Sequence, residues 1–103
     1  MRFMIKVRIP SERGNELLRD PQFGQKMGQL LADLKAEAAY FTTIDGQRGG
    51  YIILNMDDAS EIPAKAELLF LWLHADIDVF PVMKLEDLQK AGPAIGAALQ
   101  KWG

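Results

Sequence analysis

Residues equipped for chemistry gather at three places in this 103-residue sequence. Near the start, Lys6 and Arg8 stand two apart in Met1-Arg2-Phe3-Met4-Ile5-Lys6-Val7-Arg8. In the middle, Tyr40, Tyr51 and Asn55 flank the turn residues Asp45-Gly46-Gln47-Arg48-Gly49-Gly50. Later, His74, Asp76 and Asp78 fall at i, i+2 and i+4. Opposite charges held close together in a desolvated site shift each other's pKa, which poises a carboxylate or a lysine for proton transfer. On an open sheet the same residues form a cross-strand ion-pair ladder and nothing more. His74, the single histidine, titrates near neutrality and suits acid or base work. A histidine at a helix C-terminus also serves simply by interacting with the last carbonyls.

Other chemistries find less support. On one strand His74, Asp76 and Asp78 would be spaced about 7 Å apart, too far for the outer pair to share an ion unaided. With no second histidine and no cysteine, a zinc site is not expected. Tyr40, Tyr51 and Asn55 can orient a small aromatic or lactone-like ligand through hydroxyl and amide hydrogen bonds. They serve equally as interface packing, with the hydroxyls paired across it. Arg48, set among glycines, could reach a substrate carboxylate, but a plain hairpin turn is the favoured reading of that stretch. No Lys-Ser/Thr follows these glycines, so a phosphate loop is not expected. Nothing marks a flavin, nicotinamide or haem site, and no cofactor is expected.

The elements that must position these residues follow from periodicity. Phe3, Ile5, Val7 and Ile9 alternate with Arg2, Met4, Lys6 and Arg8, the period of a strand. Ser11 can cap a short helical turn carrying Leu17 and Leu18, and Asp20-Pro21 resembles a second cap. Phe23, Met27, Leu30, Leu31 and Leu34 then form a helical stripe. Gly24 and Gly28 suit a close approach of that helix to a neighbour. Strands are expected over Glu37 to Ile44 and Gly50 to Met56. An even-numbered turn would set Ile44 opposite Tyr51, Thr42 opposite Ile53 and Tyr40 opposite Asn55. Ala39, Phe41, Ile52, Leu54 and Met56 then share the other face, a partition that a one-residue slip would invert.

A further helix starts at Ser60 or Asp58, with Ile62, Ala66, Leu69, Phe70 and Leu73 buried, and stops near Leu73-His74. A fourth strand spans Ala75 to Val82. Two short helices, Leu85 to Ala91 and Ala94 to Trp102, complete the chain around Gly92-Pro93. The order is βαββαβ, an α+β ferredoxin-like sandwich with C-terminal helices, built as one domain over residues 1–103. Right-handed crossovers put both main helices on one sheet face. The other face is left bare, carrying Lys6, Arg8, Tyr40, Tyr51, Asn55, Asp76 and Asp78.

Composition sets the remaining limits. Apolar residues make up 49% and charged residues 25%, with a net charge of −2, so no basic footprint suggests nucleic acid. The third strand also places Gly, Ile and Asn where RNA-binding sheets stack aromatics. The N-terminus alternates charged and apolar residues, unlike a signal peptide, and no apolar run approaches the roughly 20 residues of a membrane span. Without cysteine, a reducing compartment suits the chain, and a cytoplasmic location with no membrane partner is expected.

The opening Met1-Arg2-Phe3-Met4-Ile5-Lys6-Val7, the strand from Tyr51 to Asp57 and Asp76-Ile77-Asp78-Val79-Phe80-Pro81-Val82 resemble the small dimeric α+β barrel proteins, muconolactone isomerases and uncharacterised single-domain families among them. The resemblance implies a homodimer whose two sheets face each other, with ligand clefts between sheet and helices or inside the barrel. On this reading the protein binds a small organic acid or lactone, as a cofactor-independent isomerase or lyase. Lys6, His74, Asp76 and Asp78 would then be nearest the chemistry, with Arg8, Tyr40, Tyr51 and Asn55 binding substrate. The alternative is a non-catalytic binding or structural dimer in which the same residues lock two sheets together.

Overall fold

Alternating strands and striped helices assemble as their periods require. The computed structural model describes residues 1–103. The elements are β1 (Arg2–Ile9), α1 (Ser11–Arg19), α2 (Phe23–Asp33), β2 (Ala38–Ile44), β3 (Gln47–Asn55), α3 (Glu61–Leu73), β4 (Asp76–Pro81), α4 (Leu85–Lys90) and α5 (Gly92–Trp102). The four strands form one antiparallel sheet in the order β2-β3-β1-β4. This is the α+β ferredoxin-like arrangement, with the first crossover divided into two helices.

The core lies between the helices and the sheet face that carries Ile5, Val7, Ile52 and Leu54. Against these pack Leu17 of α1, Leu30 of α2, Leu34, and Leu69 and Leu73 of α3. Leu34, Leu54 and Leu69 are fully shielded, each at 0% exposure. Burial on that scale contributes about 1.5–3 kcal/mol per side chain. Phe23 stacks on Trp72 with ring centroids 5.9 Å apart, which ties α2 to α3.

The hairpin differs from expectation in its register. Asp45 and Gly46 both have positive φ, 52° and 79°, so these two residues alone make the turn. Ile44 therefore pairs with Gln47, and Tyr40 lies opposite Tyr51, not Asn55. The expected turn absorbed Gln47 to Gly50 because of its glycines. In the fold Gly49 and Gly50 are strand residues at close approaches: a Cβ on Gly49 would strike the Val7 carbonyl oxygen, and one on Gly50 that of Tyr40. The change in pairing is an even number of residues, so the division between the two faces survives it.

Local starts and stops also shifted. Asp20 Oδ1 accepts the Gln22 N–H at 2.8 Å and Oδ2 pairs with Lys26 Nζ at 2.7 Å, delaying α2 until Phe23. Ahead of α3, Glu61 Oε2 accepts the N–H groups of Asp57 and Asp58 at 2.6 and 3.0 Å, while Asp58 Oδ1 accepts that of Ser60 at 2.9 Å. Those backbone donors, Asp58's first, hold the Glu61 carboxyl below the usual glutamate range. The glycines of α2 do not mark a close helix contact: a Cβ on Gly24 or Gly28 would meet nothing within 4 Å.

Beyond β4 the chain leaves this body. Neither α4 nor α5 contains a buried residue, and the molecule measures 59 × 28 × 20 Å. Its radius of gyration is 17.3 Å, against about 13 Å for a compact chain of this size. Leu85, Leu88, Ile95, Leu99 and Trp102 are all exposed, the last at 82%.

Candidate functional site

The strand register puts four of the eight candidate residues in one row on the bare face. Tyr40 of β2 pairs with Tyr51 of β3, Tyr51 with Lys6 of β1, and Lys6 with Asp78 of β4. Arg8 and Asp76 pair in the adjacent row. Across the rows, Arg8 Nη1 reaches Asp78 Oδ2 at 3.1 Å, with the Asp78 side chain 56% exposed. An ion pair so open to water is screened and weak. Within one chain the row is therefore an assembled line of polar groups with Tyr40 and Asp78 exposed and no cavity enclosing an acid or base.

Asn55 and His74 fall outside that row. Asn55 pairs with Arg2 at the far end of the face, and its Nδ2 donates to Glu37 Oε1 at 3.4 Å. Arg2 holds the same carboxylate through three contacts of 2.7–3.2 Å. These hydrogen bonds hold the Glu37 carboxyl below its ordinary value and raise the Arg2 guanidinium. Asn55 is thus occupied by a structural pair. His74 is the C-cap of α3, with φ of 54° in the left-handed region, and its N–H donates to the Phe70 carbonyl. β4 begins only at Asp76, so His74 does not continue the line of Asp76 and Asp78.

Concavity occurs on the opposite face. A cavity of about 420 Å³ opens between α2 and the β2–β3 hairpin, with α1 closing one end. Phe23, Met27 and Leu31 form its helical wall and Val7, Phe41 and Ile52 its sheet wall. Small residues line the space on both sides: Ala39 and Gly50 on the sheet, Gly24 on the helix, where a Cβ would meet nothing within 4 Å. With no side chain opposite it, Phe41 remains 66% exposed on an otherwise apolar face. Tyr40 and Tyr51 also border the cavity; Lys6, Arg8, Asn55, His74, Asp76 and Asp78 do not.

Arg48 is the one charged residue around this cavity. Its even position on β3 puts it on the helix side with Gly50 and Ile52, and it pairs with Ile9 and Thr43 on the two neighbouring strands. The side chain lies across α1 at Gly14: a Cβ there would sit 2.7 Å from Arg48 Nη1 and 3.2 Å from its Cδ. Nη1 makes a long contact of 3.5 Å to the Ser11 carbonyl, and no carboxylate lies within 4.0 Å of it. The glycines around Arg48 mark its place in the sequence, but the cavity beside it is not legible there. Its signals were glycine and alanine, which carry no chemistry and disclose volume only once their neighbours are known.

No curated protein matches the chain. Among solved structures, the de novo designed protein Ferredog-Diesel is similar over 79% of this chain and 85% of its own, at 15% sequence identity and a TM-score of 0.48. The model of a family described as a domain of unknown function, DUF3303, matches residues 1–96. That match takes in the whole sheet, the three packed helices and both sides of the cavity, and the chain belongs to the DUF3303 family.

Proposed function

We propose that this protein is a small-molecule-binding homodimer whose ligand occupies the cavity between α2 and the hairpin. The observation that carries the reading is the cavity itself: about 420 Å³, apolar on both walls and open to solvent. Small-molecule sites are concave, mostly apolar and mostly within roughly 300–1,000 Å³. A core defect would be expected to close by collapse of its neighbours. Here the space persists between α2 and the hairpin, and Phe41 on its sheet wall stays 66% exposed.

The dimer part rests on two unpartnered apolar surfaces. Met4, Ile53 and Phe80 share the bare face with Tyr51 and are only half-buried. The α4–α5 arm exposes Leu85, Leu88, Ile95, Leu99 and Trp102. Exposed apolar area of this extent favours association with another chain. A second copy, sheet facing sheet, is the arrangement that the resemblance to dimeric α+β barrels implies.

Isomerase or lyase chemistry on an organic acid or lactone would draw on Lys6, Asp76 and Asp78, which stand across the sheet from the cavity. Binding is therefore the reading we favour over catalysis. Two measurements test it. Light scattering at micromolar concentration is expected to give twice the chain mass; a sharp monomer mass refutes the dimer. Ala39→Phe, which fills the cavity, is expected to abolish the thermal stabilisation produced by neutral bicyclic aromatic fragments, and undiminished stabilisation refutes the site.

A further inference from the structure

We infer that the cavity is a receptor for apolar monocarboxylates, with the Arg48 guanidinium taking the carboxylate at the mouth. This rests on the proposed function above, and narrows it to a ligand class. An apolar lining strips water from whatever enters, so a charged group on the ligand must stay at the rim and find its partner there. Arg48 is the charged residue at that rim, and no carboxylate of the protein already occupies it. A cationic ligand would meet no anion among the lining residues and would face Arg48. A dianion would find no second cation.

Arginine suits the task by geometry as well as charge. Its planar fork binds a carboxylate through two parallel N–H···O bonds, which orients the ligand as well as holding it. Gly14 provides the seat. Because it lacks a side chain, the Arg48 stem lies flat on α1, with Cδ and Nη1 both inside the space a Cβ would need. The weak 3.5 Å contact to Ser11 leaves the remaining donors of the fork available. The ligand body would then extend along Phe41 and Ile52 towards Met27.

Calorimetry with three probes of one shape separates the possibilities: 2-naphthoate, neutral 2-naphthamide and cationic 2-naphthylmethylammonium. The expected order is naphthoate tightest, about tenfold or more ahead of naphthamide, from a charge-assisted hydrogen bond pair. The ammonium probe is expected to bind most weakly. Arg48→Met should bring naphthoate down to the naphthamide level without altering naphthamide. Gly14→Ala retains the charge but displaces its seat, and should weaken naphthoate alone while the helix keeps or gains stability. Equal binding of naphthoate and naphthamide, unchanged in Arg48→Met, overturns the carboxylate assignment but leaves the cavity reading intact. Loss of neither probe in Ala39→Phe overturns both, because the ligand then sits elsewhere.

Discussion

The two faces of the sheet are built from alternate residues of the same strands, yet only one of them is hollow. On the bare face Tyr40, Tyr51, Lys6 and Asp78 line up across four strands, with Tyr40 and Asp78 exposed and Lys6 and Tyr51 half-buried, and the single chain forms no chamber around them. On the helix face the residues are chemically plain, and small ones, Ala39 and Gly24 among them, line an apolar chamber with one charged residue, Arg48, at its edge. Residue type alone therefore misleads. Desolvation gives a polar group its leverage, and shape decides where desolvation happens.

The largest effect expected from this contrast is on stability within the helix face. Leu69→Ala, at a fully shielded position, should lower the unfolding free energy by about 2–5 kcal/mol in urea titrations. Met27→Ala, whose side chain already borders empty space, should lower it by about 1 kcal/mol or less. Equal losses would mean that the chamber closes in solution.

His74 offers a smaller effect of opposite sign. A non-glycine residue in the left-handed region bears a conformational cost, so His74→Gly should stabilise the protein by about 1 kcal/mol. A loss of stability would show that the imidazole makes contacts beyond capping α3. On the bare face, Asp78→Ala should change stability by less than about 1 kcal/mol, since its pair with Arg8 is exposed. If light scattering of the same variant shows dissociation, the row acts at the subunit interface.

The smallest signal is electrostatic and belongs to the end of the bare face. Arg2 holds the Glu37 carboxyl below the ordinary 4.5. A carboxylate depressed in the folded state adds stability that is fully present above its unfolded value and is lost as pH falls through the folded one. Glu37→Gln should therefore lower stability slightly above about pH 4.5, with the gap from the parent protein closing as pH falls below that value, so that the acid limb is shallower. An unchanged acid limb would show that the pair does not persist in solution.

Much of the fold is legible in residue order, and the failures have specific causes. Alternation from Phe3 to Ile9 and from Ile77 to Val79 identifies strands because their two faces differ in polarity. The hairpin register is not legible because Asp45-Gly46 suffices for the turn, whereas Gly49 and Gly50 answer to tertiary crowding that no local pattern encodes. Gly24 and Gly28 suggested contact and proved to face open space for the same reason. At the candidate site, the shared face of Tyr40, Tyr51, Lys6 and Asp78 follows from strand parity, whereas the row of Tyr40 beside Tyr51 depends on the hairpin register, which the expectation sets differently. The chamber was beyond sequence reasoning because volume belongs to pairs of elements. Its position depends on how far α2 stands from the hairpin.

The decisive measurement is a crystal structure of the protein soaked with 2-naphthoate. The ring is expected between α2 and the hairpin against Phe41 and Met27, its carboxylate on Arg48, with two copies joined through their bare faces. Naphthoate bound instead along the Tyr51, Lys6 and Asp78 row, with the chamber under Phe41 empty or collapsed, would reverse the roles assigned to the two faces.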